Sequence, residues 1–213
     1  MNEPLGQIVV LNGAPRSGKS SIAAAIQETF DGPWMNLGAD TFILAVTPPR
    51  YRPGVGLRPG GERGELEPMV PVFFAAMYES IAAHSRLGLK VVADVGHHEA
   101  YGVQREILAD CARRLAGLPT LFVGVRCPLE VIMQRRNAGQ PGREGVYTVG
   151  TPEDAIPSPA RRWQEEVHIP GIYDLEVDTS VLTPLECAQA IRDHLESGPP
   201  PTAFLRLAIA VPE

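Results

Sequence analysis

The chain has 213 residues, 44% apolar and 21% charged, with a net charge of −6. That length suits one domain with a sizeable core. The acidic balance and 6% aromatic content argue against nucleic acid or an anionic membrane as partner.

The first ten residues carry no Lys or Arg, and the apolar run IVVL is too short for a signal peptide or a membrane span. A cytoplasmic location is therefore expected. Cys111, Cys127 and Cys187 are widely spaced with no CxxC, which reads as three reduced thiols.

In chain order, QIVVL (7–11) reads as a buried strand and SSIAAAIQETF (20–30) as a helix. WMNL (34–37) is a short strand leading to Asp40, and PVFFAAMYESIAAHSRLG (71–88) a long helix ending at Gly88. KVVADVG (90–96) is a strand, QREILADCARRLAG (104–117) an amphipathic helix stopped by Gly117, and TLFVGVR (120–126) another strand. PLEVIMQRR (128–136) is a helix with proline at its first position. LEVDT (175–179) is the last strand. The last helix (183–197) opens on a capping box of Thr183 and Glu186.

Alternating apolar strands and helices predict an α/β fold with a parallel sheet covered on both faces. Two long stretches break the pattern: 48–66, rich in Pro, Gly and Arg, and 137–158. Loops of that length in a compact domain are usually functional or disordered. One domain is read over 1–196, with a lid at about 137–162 and a C-terminal extension over 197–213. The extension reads as a linker, with AFLRLAIAV adding a strand, docking on a neighbour or fraying.

The decisive motif is GAPRSGKS, residues 13–20, which fits G-x-x-x-x-G-K-S between a strand and a helix. The glycines let successive N–H groups converge on one anion, and the helix N-terminus adds its positive end. Gly13, Ala14, Pro15, Arg16, Ser17, Gly18, Lys19, Ser20 and Ser21 are thus assigned to nucleotide phosphates, with Ser20 on Mg²⁺ and Lys19 on the β- and γ-phosphates.

Ligands of open α/β sheets sit at the carboxyl ends of the strands, where Asp40 and Asp94 fall. Asp40 is the candidate base for an acceptor hydroxyl, against a role as helix N-cap. Asp94 suits a Mg²⁺-water or substrate contact, against a strand-end turn. His97 and His98 follow it and read as substrate-lining, since no third metal ligand stands at suitable spacing. His168 reads as a structural or pocket histidine. Arg126, Arg135, Arg136, Arg143, Arg161 and Arg162 flank the lid, where arginines can neutralise a transferring phosphoryl group. Arg135, at the start of the loop, is the favoured one.

The segments IVVLNGAPRSGKSSIA, PWMNLGADTFI, VVADVG, LFVGVRCPLEV, VHIPGIYDLEVDTS and LECAQAIRDHL together resemble the chloramphenicol phosphotransferase family, in order over roughly residues 7–195. VGVRC and YDLEVDTS are the most particular. The resemblance implies a three-layer P-loop kinase fold with strand order 2-3-1-4-5. It further implies ATP with Mg²⁺ as donor and a primary hydroxyl of a small antibiotic as acceptor. By the same resemblance Asp40 is the base, Lys19 the P-loop lysine, Arg135 the lid arginine and Asp94 the carboxylate after the third strand.

Three departures bear on the acceptor. The segment after Asp94 reads VGHHEA, the lid is longer, and 48–66 carries Arg50, Arg52, Arg58 and Arg63. A larger or more anionic acceptor such as a nucleoside antibiotic suits these arginines better than chloramphenicol, and a toxin-like or metabolite kinase acting on a nucleotide sugar or nucleoside is the alternative. A non-catalytic nucleotide switch is the rival reading. A small-molecule alcohol is the expected partner, and a homo-oligomer is compatible with the sequence.

Overall fold

The computed structural model describes residues 4–52, 64–139 and 147–209. Five parallel strands form one sheet: β1 (Ile8–Asn12), β2 (Trp34–Asn36), β3 (Lys90–Val95), β4 (Thr120–Arg126) and β5 (Leu175–Asp178), in the order β2-β3-β1-β4-β5. This is the order that the family resemblance implies. The central strand, β1, pairs in register with both neighbours, Ile8 lying opposite Val91 of β3 and Thr120 of β4.

All five residues of β1 are buried. Strand geometry sends alternate side chains to opposite faces, and two cores result. Ile8 and Val10 join Val91, Ala93 and Phe122 on one face, under α3 (Val70–Arg86), α4 (Ile107–Arg114) and α8 (Ala203–Ile209). Val9 and Leu11 join Val92 and Val123 on the other, under α1 (Lys19–Thr29) and α7 (Pro184–Ser197). A near-continuous apolar strand is what a sheet covered on both sides requires. The remaining helices, α2 (Ala39–Val46), α5 (Leu129–Asn137) and α6 (Ser158–Glu166), follow the carboxyl end of β2, the carboxyl end of β4 and the loop after α5. Among the described residues no helix is long and apolar enough to cross a membrane.

The capping box of α7 forms as read: Glu186 N–H donates to Thr183 Oγ1 at 3.3 Å, and Thr183 N–H donates to Glu186 Oε2 at 2.8 Å. Elsewhere the boundaries move. The helix read from 104 begins at Ile107, because Glu106 sits at φ 51°, outside helical geometry. The Glu99 carboxylate accepts the amides of Arg105, Glu106 and Ile107, which would otherwise be orphaned there. In the long 48–66 segment, short 3₁₀ turns form at Pro49–Tyr51 and Gly64–Met69, while 53–63 lie outside the described residues.

Within the described residues of the C-terminal extension, AFLRLAI forms a helix and not a strand. Residues 203–209 form α8, and Ala203, Phe204 and Leu207 are buried in the first core. Asp174 caps it from across the fold, its Oδ1 accepting the amides of Thr202 at 2.6 Å and Ala203 at 2.8 Å. The Phe204 ring stacks on Tyr78 and meets Phe122 edge-on. Phe204→Ala is accordingly expected to lower unfolding free energy by about 3–5 kcal/mol, the range for an aromatic-to-alanine core truncation. Urea denaturation followed by circular dichroism checks this, and a midpoint unchanged from wild type would contradict the docking of α8.

Candidate functional site

The turn that leaves β1 can be built only with glycine at two points. A Cβ on Gly13 would stand 2.5 Å from the Val125 carbonyl oxygen. Gly18 adopts φ 99°, left-handed geometry that a side chain disfavours, at the N-cap of α1. The turn is then tied down. Gly13 N–H donates to Val95 O at 3.3 Å, and Thr179 Oγ–H donates to Ser17 O at 2.7 Å. Arg135 donates to Thr179 Oγ1 at 3.0 Å, to Thr179 O at 2.7 Å and to Arg16 O at 3.3 Å. The cradle, the end of β5 and the C-terminal half of α5 are thus one assembly.

Lys19 is half-buried, and its ammonium donates to Gly13 O at 2.8 Å and Ala14 O at 2.9 Å. Burial lowers its pKa, and the charges of Asp94 and then Asp40 pull it back up. One lysine therefore feels both carboxylates. Ser20 Oγ–H donates to Asp94 Oδ2 at 2.6 Å. Asp94 is 7% exposed and fits against the backbone at Gly38, where a Cβ would lie 1.8 Å from its Oδ1. Gly38, not Asp40, is the N-cap of α2; Asp40 stands in the first helical turn. The positive end of a helix favours a carboxylate there.

These groups open on a cleft of about 520 Å³. Of the predicted cradle residues, Gly13, Pro15, Arg16, Gly18, Lys19, Ser20 and Ser21 line it, as do Asp40, Asp94 and Arg135. Ala14 and Ser17 lie behind, each 1% exposed. His98 lines the cleft, stacked on Tyr101 at 4.4 Å between ring centres. His97 does not line it. It turns into the core, where its Nε2 bonds the Tyr78 hydroxyl at 2.8 Å. His168 does not line the cleft; its Nδ1 bonds the Tyr173 hydroxyl at 2.8 Å.

Among the other arginines, Arg126 pairs with Glu176 at 2.9 Å, and Arg161 donates to Ile156 O at 3.1 Å. Arg136 is buried beside Tyr147. Arg52 is held on the Leu44 and Thr47 carbonyls. Arg58, Arg63 and Arg143 lie outside the described residues.

A family model described as chloramphenicol phosphotransferase-like protein matches residues 6–196. The chain belongs to that family. A candidate O-phosphotransferase of Mycobacterium tuberculosis, matched in strains H37Rv and CDC 1551, is 28% identical over 218 aligned residues, covering 96% of this chain and 88% of that protein. Two solved structures share the fold. The APS kinase CysC of Mycobacterium tuberculosis, in complex with AMPPNP and APS, superposes with a TM-score of 0.61 at 18% identity, covering 91% of this chain and 99% of that one. A sugar kinase from Janibacter sp. superposes with a TM-score of 0.58 at 17% identity, covering 91% and 96%. The architecture is therefore a three-layer P-loop kinase fold.

The cleft-lining residues that the sequence did not single out are mostly aromatic. Phe74 of α3, Tyr101 of the β3–α4 loop, Tyr147 and Trp163 of α6 all line the cleft. Thr179, which locks the cradle, was also missed, although its place at the end of the last strand marks it as a site position.

Two buried histidines, His98 at the cleft and His97 in the core, set an acid limit. Burial holds His98 down to about 4, assisted by the nearby Arg162 charge, and burial holds His97 down to about 3. The unfolded chain binds these protons near pH 6.5, whereas the folded protein does not until much lower. Stability therefore falls as pH drops from about 6.5 towards 4. His98→Asn is expected to flatten the pH dependence of the unfolding free energy from urea titrations between pH 7 and 5, by on the order of 1–2 kcal/mol. Parallel wild-type and variant profiles would contradict a neutral, buried His98.

Proposed function

We propose that the protein is a kinase that transfers the γ-phosphoryl group of ATP to a hydroxyl of a small molecule. The observation that carries this is the convergence of Lys19, Ser20, Asp94 and Asp40 on one cleft at the mouth of the cradle. The cradle N–H groups and the α1 N-terminus bind the phosphate chain. The Ser20 hydroxyl and Asp94 carboxylate, 2.6 Å apart, form an oxygen donor set of the kind a hard cation takes. These two residues would hold Mg²⁺, which when bound supplies charge neutralisation for the phosphates.

Asp40 accepts the proton of the acceptor hydroxyl. The alcohol oxygen forms a bond to the γ-phosphorus, the bond from that phosphorus to the β–γ bridging oxygen breaks, and ADP leaves. Lys19 and Arg135 screen the charge that spreads over the transferring oxygens. Arg135 is already positioned by three acceptors on Thr179 and Arg16, so little ordering remains for it.

For the acceptor, a metabolite with a sugar- or nucleoside-like hydroxyl is the better reading than chloramphenicol. Phe74, Tyr101 and Trp163 offer flat apolar surface to a ring, and the fold neighbours act, by name, on a sugar and on APS. The family name supports the antibiotic alternative.

Screening hydroxyl-bearing nucleosides, sugars and antibiotics with Mg·ATP should yield a product heavier by one phosphoryl group. Asp40→Asn is expected to lower turnover by about 10²–10⁴-fold with Mg·ATP affinity retained, the range for loss of a general base. Unaltered turnover in that variant would refute the assignment of Asp40. A chain that hydrolyses and transfers nothing, yet binds Mg·ATP, would be the nucleotide switch.

A further inference from the structure

Asn12 ends β1, one residue before the cradle, and does not line the cleft. Its side chain is 1% exposed and heavily committed. Oδ1 accepts the backbone N–H of His97 at 2.8 Å. Nδ2 donates to Val167 O at 2.7 Å and to the Tyr173 hydroxyl at 2.9 Å. Both amide N–H groups are therefore used, as is one side of the oxygen.

The three partners belong to separate parts of the cleft surround. His97 lies between Gly96 and His98, and both of those line the cleft. Val167 closes α6, the helix that brings Trp163 to the same cleft. The Trp163 ring lies against Gly96, where a Cβ would stand 3.0 Å from it. Tyr173 passes the linkage to His168 at 2.8 Å, and its ring covers Gly124 of β4. One amide thus spans the β3–α4 loop, the end of α6 and the approach to β5.

We infer that Asn12 is a positioning residue that holds the 96–98 backbone and α6 at one spacing, so that His98 and Trp163 present a fixed wall to the acceptor. The inference rests on the kinase reading of the cleft. The cradle has its own anchors, Gly13 N–H on Val95 O and Thr179 on Ser17 O, and neither passes through the Asn12 side chain. Loss of the amide should therefore loosen the acceptor wall and spare the nucleotide half. Aspartate cannot substitute, since its carboxylate keeps an acceptor for His97 but has no donors for Val167 O and Tyr173.

The test uses full-length protein carrying Trp34→Phe, which leaves Trp163 as the reporter, because the chain has 2 tryptophans. Adding Asn12→Ala should red-shift Trp163 emission and speed amide exchange at His97 by about tenfold or more, a local opening rather than global unfolding. The Kd for Mg·ATP should stay within about threefold of the parent, as expected for separable sites. A general folding defect would weaken nucleotide binding as well, and that parallel loss overturns the inference. Unchanged Trp163 emission together with unchanged His97 exchange also overturns it. Tyr173→Phe removes one of the three bonds, so it should shift Trp163 emission in the same direction by less. That variant decides the matter if the alanine variant does not fold. If the parent binds no Mg·ATP, the kinase reading falls and the positioning role falls with it. If the parent binds and the variants leave Trp163 and His97 unmoved, the positioning role falls alone.

Discussion

Thr179 Oγ1 gives its proton to the Ser17 carbonyl and receives one from Arg135. That single hydroxyl fastens the end of β5 and the α5 arginine to the turn that follows β1. The turn needs such an anchor. Its glycines are chosen for close approach and left-handed geometry, and the same freedom that lets them curl leaves the loop poorly determined by its own sequence. Tertiary bonds from β3 on one side and β5 on the other supply the missing constraint. Because β1 is central, both supports are within reach, and the carboxyl ends of its neighbours bring Asp94 and Arg126 to the same edge.

Electrostatics at this edge run against the chain as a whole. The net charge is −6, yet the cleft gathers Lys19, Arg16 and Arg135 around the positive end of α1. Focusing in a partly enclosed site matters more to a bound anion than the summed charge does. Lys19 is costly to bury, and Asp94 and Asp40 offset part of that cost. The same acids stand where a hydroxyl and a cation would be handled. The arrangement that keeps the lysine charged is thus the arrangement that the proposed chemistry uses.

The two halves of the cleft are built differently. The cradle half comes from one contiguous stretch and a few strand ends. The other half takes Phe74 from α3, His98 and Tyr101 from the loop after β3, and Trp163 from α6. These side chains sit at unrelated places along the chain and are brought together by the packing of α3 and α6 and the path of the β3–α4 loop.

Strand and helix types, their order and the phosphate loop were legible from the sequence, because each is set by local rules: periodicity, glycine spacing and the chemistry of adjacent residues. The strand order was reached through the family resemblance. Asp40, Asp94 and Arg135 could be placed at strand and helix ends for the same local reasons, and they meet in one cleft. What the sequence did not reveal depends on partners far along the chain. The helix at 203–209 is capped by Asp174, and its ring packs on Tyr78 and Phe122. His97 and His98 are adjacent in sequence, yet the backbone sends one to Tyr78 in the core and the other to the cleft. Local pattern determines which elements form; only packing across the sheet decides which side chains are buried, paired or left facing the site, because those energies come from contacts that no short window contains.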